Sequence, residues 1–411
     1  MLNQSISIKN LKLIKGRTFQ KFHRGDESDR MYNRVYATIN DKLTDSSYKF
    51  DNFISKKVGK KHGFDCASAE DELVLKKLND NIKRLFKVKT SDRHAIVKQA
   101  ISLLKDSQPI SVVRLDIKNF YEEIDRKKIV KLIQEEYLLS HQSRIILKSF
   151  DEESSIRNLT GLPRGISLSA TLSEIGLRNF DSKARKLKGV YYYARYVDDM
   201  IIFCTCNPTE LVESLSKLLS DLDLNLEFNE KTYLYDPNIS ANPPKPIDYL
   251  GYKISFKSVT SESLPRDVSV EISEKKINKI KTRLHKAFRS YNRTRTFDLL
   301  ESRIKFLTGN QYIIGDVERT KLKSGIYYNY PLITTYHQIK ELDRFYQSLF
   351  VSKCPHIVKA LAMLRNHNDS SCNKKYGRLE RLQRMSFKFG FENRVMNKFS
   401  RKMSRKIKGC W

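Results

Sequence analysis

Asp198 and Asp199 stand side by side between two runs of strand-forming residues. Tyr191-Tyr192-Tyr193-Ala194-Arg195-Tyr196-Val197 precedes them and Met200-Ile201-Ile202-Phe203 follows. Aromatic and β-branched runs around a short polar break predict a β-hairpin with the acids at its turn. Adjacent like charges repel, and burying either one is costly unless a cation compensates. Oxygen-coordinated divalent cations are the usual compensation, and Mg²⁺ typically takes one or two carboxylates together with substrate phosphates. A third acid stands in a similar setting upstream. Ser111-Val112-Val113-Arg114-Leu115-Asp116 reads as an apolar strand with a carboxylate at its end, followed by Phe120-Tyr121 and a helix-spaced run from Arg126 to Ile133. Three carboxylates so delivered can hold two Mg²⁺ ions, the arrangement that activates a 3′-hydroxyl and stabilises a leaving pyrophosphate in an in-line phosphoryl transfer. Nucleotidyl transfer is the chemistry these residues predict.

A third segment narrows the reading. Leu162-Pro163-Arg164-Gly165-Ile166-Ser167-Leu168-Ser169 breaks the chain with Pro and Gly, then launches a helix through Ala170 to Ile175. Gly165 allows close backbone approach to a ligand, and the serines can cap the helix start. Taken in order, the three segments resemble the palm of a reverse transcriptase. The Asp116 segment resembles motif A, Leu162 to Ser169 motif B, and Tyr196-Val197-Asp198-Asp199 motif C. Leu224 to Thr232 resembles motif D, and Asp248-Tyr249-Leu250-Gly251-Tyr252 resembles motif E, the primer grip.

The resemblance implies roles. Asp116, Ile117, Asp198 and Asp199 become the metal site, holding two Mg²⁺ ions for which Mn²⁺ can substitute, with Asp199 the less tightly coordinated acid. Lys231 matches the motif D lysine that protonates pyrophosphate. Tyr121 falls where the family places an aromatic ring against the sugar C2′, excluding ribonucleotides. Arg164 and Gly165 flank the incoming nucleotide, Lys89 and Arg93 are candidates to clamp its triphosphate, and Tyr249, Leu250 and Gly251 seat the primer terminus. Arg164 replaces the Gln common at this position of motif B; a guanidinium makes charge-assisted bonds to phosphate that an amide cannot. With that change, the Gly161 to Ile175 run resembles bacterial defence-associated enzymes of the abortive-infection and unknown-group lineage. The strings around Leu307 to Asn310 and Gly325 to Tyr330 resemble the smaller polymerase of the type 3 defence systems. A dedicated non-coding RNA template, a DNA product and dNTP substrates follow from that lineage. A second polymerase or other defence-system subunit, or a homo-oligomer, is compatible with it. Two alternatives stay open: a retron-type enzyme, though the thumb lacks a Val-Thr-Gly signature, and a non-catalytic RNA-binding scaffold.

The elements that must position these residues follow an α+β, right-hand polymerase plan. Residues 1–110 are expected to form fingers, 111–265 a palm with an antiparallel sheet and helices, 266–350 a helical thumb, and 351–411 a helical basic extension. Helices are expected at Glu70–Phe86, Asp92–Lys105 and Thr209–Leu222, with a Pro-rich loop from Asp236 to Pro246. Across 411 residues the net charge is +30 and the pI about 9.7, which suggests a polyanionic partner. Lys275, Lys279 and Arg283 on the thumb, and Arg401, Lys402 and Arg405 in the C-terminal run, are the candidate nucleic-acid contacts. Mean hydropathy is −0.54, no apolar run approaches the ~20 residues of a membrane span, and the N-terminal residues lack signal-peptide character. A cytoplasmic protein without membrane association is expected. The six cysteines are scattered and read as reduced thiols.

Overall fold

The apolar runs Val112-Val113-Arg114-Leu115 and Met200 to Cys204 form the two central strands of a four-stranded antiparallel sheet. The computed structural model describes residues 2–58, 61–229, 232–238, 244–257, 265–313, 322–365 and 376–411. Strands β1 (Ile54–Val58) and β2 (Lys61–Asp65) form a separate hairpin. The central sheet contains β3 (Ser111–Asp116), β4 (Val190–Tyr196), β5 (Asp199–Cys204) and β6 (Tyr233–Tyr235) in the order β4-β5-β3-β6. Met200 through Cys204 are fully buried, as are Val112, Val113 and Leu115. Such continuous burial marks strands covered on both faces. Helix Pro208–Asp221, started by Asn207 accepting from the Thr209 N–H, packs on β3 and β6.

The described residues divide into two compact units: 1–96 with 108–240, and 97–107 with 241–411. In the first unit, apolar residues from Ile6 and Leu11 through Leu73 and Leu78 to Leu215 and Leu226 form one continuous core. The expected fingers and palm therefore share a core. Helices lie at Ala69–Leu85 and Arg93–Leu104, within a residue of expectation. The second unit contains β7 (Ile247–Tyr249), β8 (Tyr252–Phe256) and β9 (Val268–Ile272), which form one antiparallel sheet. β8 and β9 pair from Tyr252↔Ile272 to Phe256↔Val268, so this sheet crosses residue 265, the expected palm–thumb boundary. The long helix Glu274–Thr294 packs on Phe297–Thr308, His337–Ser348 and Pro355–Arg365. A small sheet of β10 (Asn310–Tyr312), β11 (Lys323–Gly325) and β12 (Met396–Asn397) ties the expected extension to the thumb. No described helix is long and apolar enough to cross a membrane. Cys66, Cys204, Cys206, Cys354 and Cys410 are free thiols.

One buried cation positions the motif B loop. Arg126, fully buried in helix Arg126–Glu135, donates through Nε to Asp151 at 2.6 Å and through Nη2 to the Ser155 hydroxyl at 2.9 Å. Its Nη1 donates to the Leu159 carbonyl and, at 2.7 Å, to the Gly161 carbonyl. A Cβ on Gly161 would lie 2.2 Å from the Tyr121 carbonyl, so only glycine permits this approach of motif B to motif A. Arg126→Met removes the cation and leaves those acceptors buried. A loss of about 3 kcal/mol is expected, read as a lower urea midpoint.

Candidate active site

β3 and β5 pair in register with Asp116 directly opposite Asp199, which places the two side chains on one face of the sheet. β4 and β5 pair up to Tyr196↔Asp199, leaving Val197 and Asp198 as a two-residue turn. Val197 has φ of +62°, a conformation that β-branched residues rarely adopt and that costs of order 1–3 kcal/mol. The turn is fixed on both sides. The Ile117 N–H donates to the Asp198 carbonyl at 3.0 Å, and Arg195 Nη1 donates to the Val197 carbonyl at 2.8 Å.

Arg195 is buried, 5% exposed. Its Nε and Nη2 form a fork on Asp181 at 2.8 and 2.7 Å, and Nη1 and Nη2 reach Glu174 at 3.2 and 2.9 Å. Glu174 belongs to the motif B helix, Ser167–Gly176, and Asp181 to helix Arg178–Ala184. The Tyr193 hydroxyl also donates to Asp181, at 2.7 Å. A single guanidinium thus joins the motif B helix, the next helix and the acidic turn.

A second guanidinium faces the acids themselves. Arg114 donates through Nε and Nη2 to the two oxygens of Asp199 at 2.9 and 3.1 Å. Burial pushes the Asp199 pKa up to about 6; Arg114 opposes the rise, and the neighbouring Asp116 and Asp198 carboxylates add to it. Asp116 Oδ2 accepts from Asn229 Nδ2 at 3.3 Å, and its carbonyl accepts from the Asn229 N–H at 2.7 Å. The Lys118 N–H donates to Glu227 O at 2.9 Å, so the motif D segment runs beside the end of β3. Lys231 lies outside the described residues.

The donor set suits a hard divalent cation: oxygen ligands only and clustered negative charge. Both oxygens of Asp199 are engaged by Arg114. Among the described residues, no group of three or more His, Cys, Asp or Glu side chains stands in a ready-made metal cluster.

Tyr121 is half-buried, with the Arg164 guanidinium 5.1 Å from its ring centroid. Burial, and then the Asp198 carboxylate, raise the pKa of its hydroxyl. Arg164 itself forms a fork on Glu122, with Nε at 3.1 Å and Nη2 at 3.2 Å. The expectation that Gly165 serves approach to a ligand meets a different contact. At φ +100°, a Cβ there would lie 2.6 Å from the Phe64 carbonyl, and the Phe64 N–H donates to the Arg164 carbonyl at 2.6 Å. Gly165 seats the β1–β2 hairpin on motif B. That hairpin carries Lys56 and Lys57, with Lys56 paired to Asp65 at 3.0 Å. Lys89 is exposed and lines a cavity of about 370 Å³ with Arg178, Glu174, Asp181 and Arg195. Arg93 is half-buried at the start of its helix.

In the second unit, Leu250 and Gly251 form the β7–β8 turn with φ of +46° and +85°. Tyr249 is fully buried. Only Leu250 and Gly251 stand at the tip, so the tyrosine acts as a core residue beneath the expected primer grip. Lys275 and Lys279 are exposed, whereas Arg283 is half-buried with its guanidinium 4.9 Å from the Trp411 ring centroid. Arg401, Lys402 and Arg405 lie on helix Arg401–Lys408, with Lys402 and Arg405 exposed. This helix is anchored: Ser400 caps it, Ile407 is fully buried, and Arg303 Nη2 donates to the Lys406 carbonyl at 3.2 Å.

The reverse transcriptase (RNA-dependent DNA polymerase) family matches residues 54–254, from the start of β1 into β8. The chain contains a reverse transcriptase domain. Motifs A to E all fall within the matched span, together with the β1–β2 hairpin that opens it. No curated protein shows significant similarity to the chain. Among solved structures, it is similar to apo telomerase from Candida tropicalis truncated from its C-terminal domain, at 15% identity over 59% of this chain and 60% of that one, TM-score 0.39. It is also similar to Candida albicans telomerase in complex with a TWJ fragment of telomeric RNA, at 14% identity over 71% and 50%, TM-score 0.33. A further apo telomerase from Candida tropicalis is similar at 13% identity over 68% and 56%, TM-score 0.40. The chain spans between 50% and 60% of the length of these structures.

Sequence reasoning missed Arg114, Arg195, Glu122 and Asn229. Arg114 was within reach, since a residue two before a strand-end Asp shares its face. The partners of Arg195 lie 14 and 21 residues away, on helices whose placement no local pattern announces.

Arg195→Met leaves Asp181 and Glu174 without their cation and frees the Val197 carbonyl. It is expected to lower stability by about 3–5 kcal/mol. Arg195→Lys, which keeps the charge but loses the planar fork, should recover part of that loss in parallel urea titrations.

Proposed function

We propose that the chain is an RNA-directed DNA polymerase that adds dNTPs to a 3′-hydroxyl, copying a dedicated non-coding RNA in a bacterial antiviral defence system. The observation that carries the catalytic part is the opposition of Asp116 and Asp199 across β3 and β5, with Asp198 in the adjoining turn. Asp116 and Asp198 are the proposed principal metal ligands, with the Ile117 backbone beside them. Asp199, held by Arg114, shapes the local charge. Two Mg²⁺ ions bound there would supply nucleophile activation and charge neutralisation of the leaving pyrophosphate.

The chain's own side chains do the rest. Arg195 holds the turn so that Asp198 keeps one orientation. Tyr121 occupies the volume that a 2′-hydroxyl would need, and its ring is braced by Arg164. Arg164 can exchange the Glu122 carboxylate for a phosphate of the incoming nucleotide, since both accept the same planar fork. Lys56 and Lys57 on the β1–β2 hairpin, together with Lys89 and Arg93, supply further charge for the triphosphate. Lys231 is the proposed proton donor to pyrophosphate. Lys275, Lys279, Lys402 and Arg405 present exposed charge to a nucleic-acid backbone. The defence assignment rests on the Arg164 form of motif B and its resemblance to that lineage.

Asp198→Asn is expected to abolish Mg²⁺-dependent dNTP incorporation by folded protein. The same variant separates metal binding from turnover. Wild type should gain about 1.4 kcal/mol of stability at a tenfold excess of Mg²⁺ over its Kd, and the variant should gain none. Substantial incorporation, or an undiminished Mg²⁺ shift in the melting curve, would contradict the assignment.

Tyr121→Ala opens the sugar pocket. Because exclusion depends on a clash present in one complex and absent from the other, rNTP incorporation should rise relative to dNTP in competition assays. An unchanged ratio would place the gate elsewhere.

A further inference from the structure

The second unit contains a cavity of about 470 Å³, within the ~300–1,000 Å³ range of small-molecule sites. One wall is the helix Glu274–Thr294, which contributes Lys279 and Arg283; Lys408 and Trp411 come from the C-terminal end, and Phe306 and Gln311 are among the other lining residues. The cations stand at one helix face, four residues apart. No Asp or Glu lines the cavity among the described residues. The aromatic surface is ordered: Trp411 lies 5.3 Å from Phe306, centroid to centroid, with the Arg283 guanidinium over its ring.

Two polar atoms in this lining have no partner among the described residues. One is Oε1 of Gln311, a residue only 9% exposed, and the other is the indole Nε1 of Trp411. A buried amide oxygen and a buried N–H left unpaired are costly, and together they offer one acceptor and one donor. The strand that carries Gln311 is fixed, because its neighbour Asn310, fully buried, bonds the Gly390 carbonyl at 3.1 Å and the Tyr327 N–H at 2.9 Å. The C-terminal wall is fixed as well, by Arg303 on the last turn of its helix.

We propose that this cavity binds a single nucleotide, its base against Trp411 and Phe306 and hydrogen-bonded by Gln311, its phosphate held by Arg283, Lys279 and Lys408. A planar group with hydrogen-bonding edges and an attached anion is the chemistry that satisfies aromatic walls, unpaired donor and acceptor, and unopposed cations together. The nucleotide is either free or an unstacked residue of an RNA strand. The inference extends the nucleic-acid reading of the thumb from backbone contacts to a defined base site, and it rests on that reading for the ligand class.

Trp411 is the sole tryptophan of the chain, so intrinsic tryptophan emission reports this cavity without turnover. The full chain is titrated with AMP and, separately, with a short 5′-phosphorylated oligoadenylate. Saturable quenching is expected, with affinity weakened about tenfold in Gln311→Leu and in Arg283→Ala. Quenching by AMP assigns a free nucleotide; quenching by the oligonucleotide alone assigns a residue within a strand. Arg283→Ala keeps the test decisive if Gln311→Leu folds poorly, which thermal melts reveal. No saturable quenching by either probe, or quenching that both substitutions leave unchanged, overturns the site. Because dNTP incorporation is not the readout, a chain without polymerase activity can still pass, and an active polymerase can still fail.

Discussion

Concentrated negative charge at the ends of two buried central strands is the constraint on which the first unit depends. Asp116, Asp198 and Asp199 sit where apolar strands end, so none has full access to water. Their repulsion has to be offset by fixed positive groups or by bound cations. Arg114 neutralises one acid directly. Arg195 acts differently: it is consumed by Asp181 and Glu174 and contributes to the acids only through the Val197 carbonyl. One guanidinium balances charge, and the other holds geometry.

That division explains why the turn can be strained. A valine at positive φ is maintained only where surrounding structure over-determines it. Here a buried arginine with five donors holds the strained carbonyl while satisfying two carboxylates on neighbouring helices. The glycine-dependent approach of motif B to motif A, and Arg126 beneath it, do the same for the opposite side of the site.

The catalytic hairpin and the strand carrying Asp116 were legible in the sequence because short runs of β-branched and aromatic residues beside an acid leave a local signature. Helix Ala69–Leu85 was legible for a similar reason, its apolar positions repeating at helical spacing. What escaped was set by long-range packing. The sheet of β7, β8 and β9 forms across a Ser-rich interval ending at Pro265 that reads as a boundary, because strand pairing leaves no trace in composition. Tyr249 reads as a surface grip from its motif, yet alternation in a three-residue strand is too short to say which face is buried. Arg164 reads as a free cation, since nothing local indicates that Glu122, 42 residues earlier, returns to meet it.

The contact between Phe64 and motif B has a mechanical meaning. The β1–β2 hairpin is tied to the loop by the Phe64 N–H on the Arg164 carbonyl and by the missing side chain of Gly165. The peptide that receives this bond belongs to the same residue whose guanidinium grips Glu122 and covers Tyr121. A swing of the hairpin must therefore either break that bond or drag the Arg164 backbone with it. Hairpin position and the packing around Tyr121 behave as one lever, with motif B as its fulcrum.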